Sequence, residues 1–181
     1  IVKYVLWSHS FIPTADKLRE HIIKDKMPYD AWERLGYLTL TNTPIVDQNF
    51  VMKYVLDECK KYNLDIQCLF DPANASKIMM DLSGQGYTVE EVFQSHKSLN
   101  ESTQGFREQV FARNVAYTHN PLLNYAMSNA VTRTSNGLIK IDKDATTKRI
   151  DPVDATLAAF KLALYHDFSL QNMNDYVAEF L

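Results

Sequence analysis

The chain has 181 residues, 46% of them apolar, and a formal net charge of −3. This length and apolar content predict one soluble globular domain spanning residues 1–181, and they exclude an intrinsically disordered chain. No apolar run reaches the roughly 18 residues that a membrane span needs, and the net charge gives no overall nucleic-acid signature. The two cysteines lack zinc-ligand spacing and are predicted to be reduced thiols in a cytoplasmic protein.

The first half of the chain alternates strand-like and helix-like segments. A strand is predicted over residues 1–11, and Thr14 is a candidate N-cap for a helix that runs to residue 24. The next predicted elements are a helix over 29–35 ended by Gly36, a strand over 37–41, a helix from the N-cap Asp47 to about 62, a strand over 64–70, a helix over 74–83 closed by Gly84, and a strand around 88–93. This β-α-β-α-β order predicts a largely parallel sheet with helices on its faces.

The second half is predicted to be mainly helical, with one hairpin. The predicted elements are helices over 101–113 and 121–128, a hairpin of residues 130–133 and 138–141 around Ser135-Asn136-Gly137, and a helix over 151–165. Small residues in the last helix predict close packing against its neighbours. The tail over residues 169–181 is helical by pattern.

Asp71 directly follows the predicted strand over 64–70 and precedes Pro72. The carboxyl end of a strand is where open α/β sheets usually bind ligands. Asp71 is equally suited to cap the helix predicted to begin near Asn74. Its position alone leaves both roles open.

Asp151 and Asp154 lie three residues apart, so they share one face of the first turn of the last helix. Pro152 at the first helical position would make Asp151 the N-cap, and the helix dipole favours Asp154 nearby. The local pattern favours these capping roles. Hard divalent cations nevertheless prefer carboxylate oxygens, so acids from separate elements such as Asp71 and this pair are candidates to hold one or two ions.

Five basic residues cluster late in the chain and are only partly offset by two nearby aspartates: Arg133, Lys140, Lys143, Lys148 and Arg149. They are a local nucleic-acid signal in an otherwise acidic chain. His96 follows a predicted strand end and either faces the same cleft as Asp71 or lies in an ordinary surface loop. The chain has neither a Gly-x-Ser-x-Gly elbow nor a phosphate-binding P-loop, which argues against serine hydrolysis and ATP hydrolysis.

Six segments, in order over about residues 28–164, resemble the C-terminal nuclease domain of the large terminase subunit of tailed bacteriophages or prophages. They are residues 28–38 (PYDAWERLGYL), 41–47 (TNTPIVD), 70–75 (FDPANA), 92–95 (VFQS), 119–129 (HNPLLNYAMSN) and 148–155 (KRIDPVDA). The resemblance implies an α/β, ribonuclease H-like fold with a mixed sheet flanked by helices. It also implies cleavage of concatemeric double-stranded DNA during genome packaging.

The same resemblance implies a site with two Mg²⁺ or Mn²⁺ ions. Asp71 and Asp151 carry over as catalytic metal ligands, with Asp154 as a possible partner or substitute. The five basic residues would then contact DNA phosphates in a sequence-independent way. The implied partners are the small terminase subunit and the portal protein, and the implied location is the cytoplasm of an infected or lysogenic bacterial host.

One departure from the family pattern concerns its first catalytic aspartate, which family members carry on their first strand. Residues 1–10 contain no acid, and Asp16 falls in a predicted helix. We therefore expect this chain to lack the first strand and one metal ligand, to lack the ATPase domain, and to be a poor nuclease as it stands. The alternatives are a non-catalytic docking module of the packaging motor, or another ribonuclease H-like nuclease such as a resolvase.

Overall fold

Strands and helices alternate along the residues described by the computed structural model, which are 2–14, 17–63, 67–72, 75–142 and 149–165. The strands are β1 (Tyr4–Leu6), β2 (Ser10–Pro13), β3 (Leu38–Thr41), β4 (Gln67–Phe70), β5 (Thr88–Glu91), β6 (Val115–Tyr117), β7 (Thr132–Ser135) and β8 (Leu138–Ile141). The helices are α1 (Leu18–Asp25), α2 (Tyr29–Arg34), α3 (Gln48–Tyr62), α4 (Ser76–Gly84), α5 (His96–Phe111), α6 (Pro121–Asn129) and α7 (Asp151–Ala163). The predicted helical tail lies outside the described residues.

Most of the strand pairing is parallel. β1 pairs with β6, β2 with β3, and β4 with β5, while β7 and β8 form an antiparallel hairpin. Helix α4 connects β4 to β5, and α1 and α2 connect β2 to β3, as crossover connections between parallel strands must. The predicted α/β architecture with largely parallel strands is therefore confirmed.

The predicted first strand is in fact two strands with different partners. Residues 7–9 separate β1 from β2, so one half of the segment pairs with β6 and the other with β3. β6 was not predicted, because three residues are too few to show a period-2 pattern.

Helix α7 packs against α5, α6 and β4. Its residues Val153 and Leu157 are buried with Ala126 of α6 and Ile141 of the hairpin. Further along, Leu164 lies so close to Gly105 of α5 that a β-carbon there would be 2.7 Å from its Cδ1 atom. The close packing predicted for the small residues of this helix is confirmed for Ala158, which is buried, whereas Ala155 and Ala159 are exposed.

Two predicted helix starts and one predicted N-cap are wrong. Thr14 does not cap α1, because the helix begins only at residue 18 with Lys17 at its N-cap position; the Thr14 hydroxyl instead donates to the Thr41 carbonyl at 3.1 Å. α5 begins at His96 rather than at residue 101, with Ser95 as its N-cap, so His96 is helical and not in a loop. Asp151 is the first residue of α7 and not its N-cap; that position is Ile150, and no side chain caps the helix.

The predicted turn chemistry is largely confirmed. Asp47 caps α3 by accepting the Asn49 N–H at 2.9 Å. Asn136 and Gly137 form the two-residue hairpin turn with φ of 49° and 76°, as a type I′ turn requires. Gly84, by contrast, is the last residue of α4, and the positive φ of 90° falls on Gly86.

Within the described part of the chain, the helices are too short or too polar to cross a membrane.

Candidate functional site

Asp71 lies at the carboxyl end of the β4–β5 pair, directly after β4 and partly buried. The two parallel strands end together, and the Val92 N–H donates to the Phe70 carbonyl at 2.8 Å. Val92 is fully buried. The turn between β5 and α5 is thereby fixed beside the backbone that carries Asp71.

Helix α7 packs against this strand pair through Ala158. Ala158 is buried with Val92 and Leu99, and Leu69 of β4 packs against the same cluster. Asp154 precedes Ala158 by one helical turn and lies on the same face of α7. Asp71 directly follows the last residue of β4, two residues after Leu69. The strand that bears Asp71 and the helix that bears both other acids are therefore neighbours.

The two acids of α7 have different environments. Asp151 is exposed at the first residue of the helix, whereas Asp154 is only 6% exposed. Both are in the first turn, where the helix dipole stabilises a negative charge. An ion that acts on DNA must be reached by water and by a phosphate, and only Asp151 of the two offers its carboxylate to solvent.

The donor chemistry fits a hard cation better than zinc. Among the described residues, no three His, Cys, Asp or Glu side chains form a group that could hold a metal ion, so the three aspartates do not make such a group by themselves. Magnesium commonly takes one or two carboxylates, with water and substrate phosphates completing its six ligands. Burial raises the pKa of the Cys59 and Cys68 thiols, which disfavours the thiolate form that binds zinc.

Two of the predicted DNA-binding cations face each other across the hairpin. Arg133 and Lys140 are directly paired in the antiparallel ladder, so both side chains are on one face. The Lys140 ammonium donates to the Gln94 carbonyl at 3.2 Å, and Arg133, 61% exposed, is 4.0 Å from Asp142. The Lys140 contact fixes the hairpin to the turn that adjoins the β4–β5 ends.

The other predicted cations are not part of this pair. Arg149 is an ion-pair partner of Asp25, with 3.4 Å between its Nε atom and the carboxylate. Lys143 and Lys148 lie outside the described residues. Sequence reasoning missed Asp25 and Gln94, because both act through contacts with residues that are distant in the chain.

Residues 2–167 match the family of terminase large subunit endonuclease domains. The chain belongs to this family, and its fold is the mixed α/β, ribonuclease H-like fold.

Two comparisons with a single phage protein agree with this assignment. The chain is 27% identical over 137 residues to the large terminase subunit of Enterobacteria phage HK97. The aligned region covers 74% of this chain and 27% of that protein. It superimposes on the crystal structure of the HK97 large terminase with a TM-score of 0.74 and 25% identity, over 84% of this chain and 32% of that one. The chain thus spans about a third or less of the length of these relatives.

Proposed function

We propose that this chain is the metal-dependent endonuclease domain of a phage packaging terminase, which cuts concatemeric double-stranded DNA. The observation that carries the proposal is the family match over residues 2–167. The arrangement of α7 against β4 supports it, because the acids that the resemblance singles out lie on these two neighbouring elements.

In this proposal Asp71 and Asp151 are the metal ligands, and Mg²⁺ or Mn²⁺ is the cofactor, with two ions in the complete site. Such ions supply Lewis-acid activation of the attacking water and charge stabilisation of the leaving 3′ oxygen. The chain's own contribution is to hold one carboxylate directly after a strand and the other at a helix start. Asp154 is only 6% exposed, so its proposed role is to support that helix start rather than to meet the substrate.

Arg133 and Lys140 are the proposed phosphate contacts. Two like charges directly opposite in a hairpin repel each other, so an anion between them is favourable. Replacing each by glutamine should lower the magnitude of the salt slope of DNA binding by about 0.9. Lys53→Gln is the matched control, because Lys53 is an exposed cation paired with Asp57 on α3.

The proposed partners beyond DNA are the small terminase subunit and the portal protein, met within a longer terminase chain. The proposed location is the cytoplasm of an infected or lysogenic bacterium, where concatemeric phage DNA is packaged. Both proposals follow from family membership and not from a contact in the structure.

The test combines Mn²⁺ binding, read by electron paramagnetic resonance, with plasmid cleavage in Mn²⁺. Asp71→Ala and Asp151→Ala are compared with Asp30→Ala, whose carboxylate is an exposed partner of Arg34 on α2. We expect slow, Mn²⁺-dependent cutting that the first two variants reduce on the order of 100-fold, equivalent to about 2.7 kcal/mol.

Two results would overturn the proposal. One is a chain that neither binds Mn²⁺ nor cuts DNA. The other is an Asp71→Ala variant that binds Mn²⁺ and cuts as well as the unchanged chain.

A further inference from the structure

Asp25, the last residue of α1, connects two distant parts of the chain. Its carboxylate accepts a hydrogen bond from the Tyr29 hydroxyl at 2.9 Å and pairs with Arg149 at 3.4 Å. The side chain is only 13% exposed. A partly buried carboxylate with two donors is held more firmly than a fully exposed one.

The Tyr29 side of this network is rigid. Tyr29 is 2% exposed and packs with Leu38 of β3 and Leu122 of α6. Burial, and then the hydrogen bond to Asp25, raises the pKa of the Tyr29 phenol, so it remains a donor at any physiological pH. The position of the Asp25 carboxylate is therefore fixed by the core.

Arg149, the other partner of Asp25, lies just before α7. Arg149 precedes Asp151 by two residues, and Ile150 between them is buried against Val153 and Leu157. No side chain caps α7, and the contacts that hold its start include the burial of Ile150, the Val153 N–H bond to the Ile150 carbonyl at 2.9 Å, and the ion pair of Arg149 to Asp25. Loss of any of these contacts would let the first turn, and with it Asp151, move.

We propose that Asp25 is a positioning residue of the nuclease site, which acts through Arg149 to fix Asp151 for metal binding. The inference rests on the proposed function, because it assumes that Asp151 is a ligand. It gives Arg149 a role different from the phosphate contact that the sequence predicts.

The test measures Mn²⁺ affinity of the full chain without DNA, by electron paramagnetic resonance. Asp25→Asn should weaken Mn²⁺ binding about three- to tenfold, less than the roughly 10- to 100-fold typical of groups bonded directly to a ligand. Arg149→Lys keeps the charge but loses the guanidinium geometry, and it should weaken binding similarly. Arg149 is 49% exposed, so this variant should fold even if Asp25→Asn does not.

Two controls separate positioning from charge and from stability. Asp30→Asn removes the same charge from the exposed pair with Arg34 and should change Mn²⁺ affinity less than about twofold. In an Arg149→Lys background, Asp25→Asn should weaken Mn²⁺ binding by less than a further factor of about two. The reason is that a residue acting through the Arg149 guanidinium has no separate effect once that guanidinium is replaced.

The inference is overturned if Asp25→Asn lowers only the melting temperature and leaves Mn²⁺ affinity unchanged. It is also overturned if Asp25→Asn tightens DNA binding without affecting Mn²⁺, since Arg149 would then be a phosphate contact that Asp25 restrains. Asp151→Ala tells the two proposals apart. If it leaves Mn²⁺ binding intact, the metal site itself is wrong; if it abolishes binding while Asp25→Asn does nothing, only the role of Asp25 is wrong.

Discussion

Replacing Ala158 by leucine tests the contact that brings α7 and β4 together. Ala158 is buried against Val92 and Leu99, with Leu69 of β4 beside them. Leucine adds three carbon atoms at a position that is only 7% exposed and already in contact with these side chains. Overpacking of this kind costs about 1–3 kcal/mol.

The control is Ala159→Leu, one residue further along α7 on its exposed side. Alanine and leucine are both strong helix formers, so any propensity difference is small and common to both variants. The exposed change should alter the free energy of unfolding by no more than about 0.5 kcal/mol. For a chain of this size, Ala158→Leu should lower the melting temperature by about 2–12 °C.

The assay is thermal unfolding followed by circular dichroism, with urea unfolding to obtain the free energy. The Mn²⁺ affinity of both variants is measured beside it, because a shift of α7 away from β4 also moves Asp151 relative to Asp71. Equal melting temperatures for the Ala158 and Ala159 variants would refute the reasoning, since α7 would then not be packed on β4 through this face.

Three further changes probe the rest of the fold. Gly137→Ala forces a β-carbon into a left-handed turn and should cost about 1–2 kcal/mol in urea unfolding, whereas Gly84→Ala, in a helix with open space around it, should be neutral or stabilising. Burial lowers the pKa of His9 from its ordinary 6.5, so the unfolded chain binds the proton more tightly than the folded chain does. The contribution of His9 to the free energy of unfolding should therefore be complete above about pH 6.5 and decrease as the pH falls below it. This decrease should be smaller in His9→Gln. Asn120→Ala removes the cap of α6 and should cost about 1–2 kcal/mol, and a melting temperature equal to that of the unchanged chain would contradict that role.

Local sequence signals predicted the caps and turns that are determined by residues close together in the chain. Asp47 caps α3 because its own carboxylate reaches an N–H two residues away. Asn136-Gly137 specifies a tight turn because both residues tolerate positive φ. Predictions of this kind need only a few neighbouring residues, and here they are confirmed.

Elements that depend on distant partners were predicted less well. β1 and β2 were predicted as one apolar strand, because residues 7–9 contain no turn signal that would indicate a change of pairing strand. Thr14 has a side chain typical of an N-cap, but α1 begins four residues later and the Thr14 hydroxyl donates to a carbonyl of β3. Asp151 is not a cap either, because Ile150, which is buried in the core, occupies the N-cap position.

The residues that carried the family resemblance mostly build the scaffold, and this decides which experiments bear on activity. Tyr29 is a core side chain that fixes Asp25, and Asn120 caps α6 and donates to the Ser8 carbonyl at 2.9 Å. Their presence explains why the fold could be anticipated from the sequence. The proposed nuclease site depends instead on the carboxylates of Asp71 and Asp151, which short-range patterns could not distinguish from helix caps. Variants of Asp71 and Asp151 therefore test the proposed reaction, whereas variants of the scaffold residues test only whether the two proposed ligands are held in place.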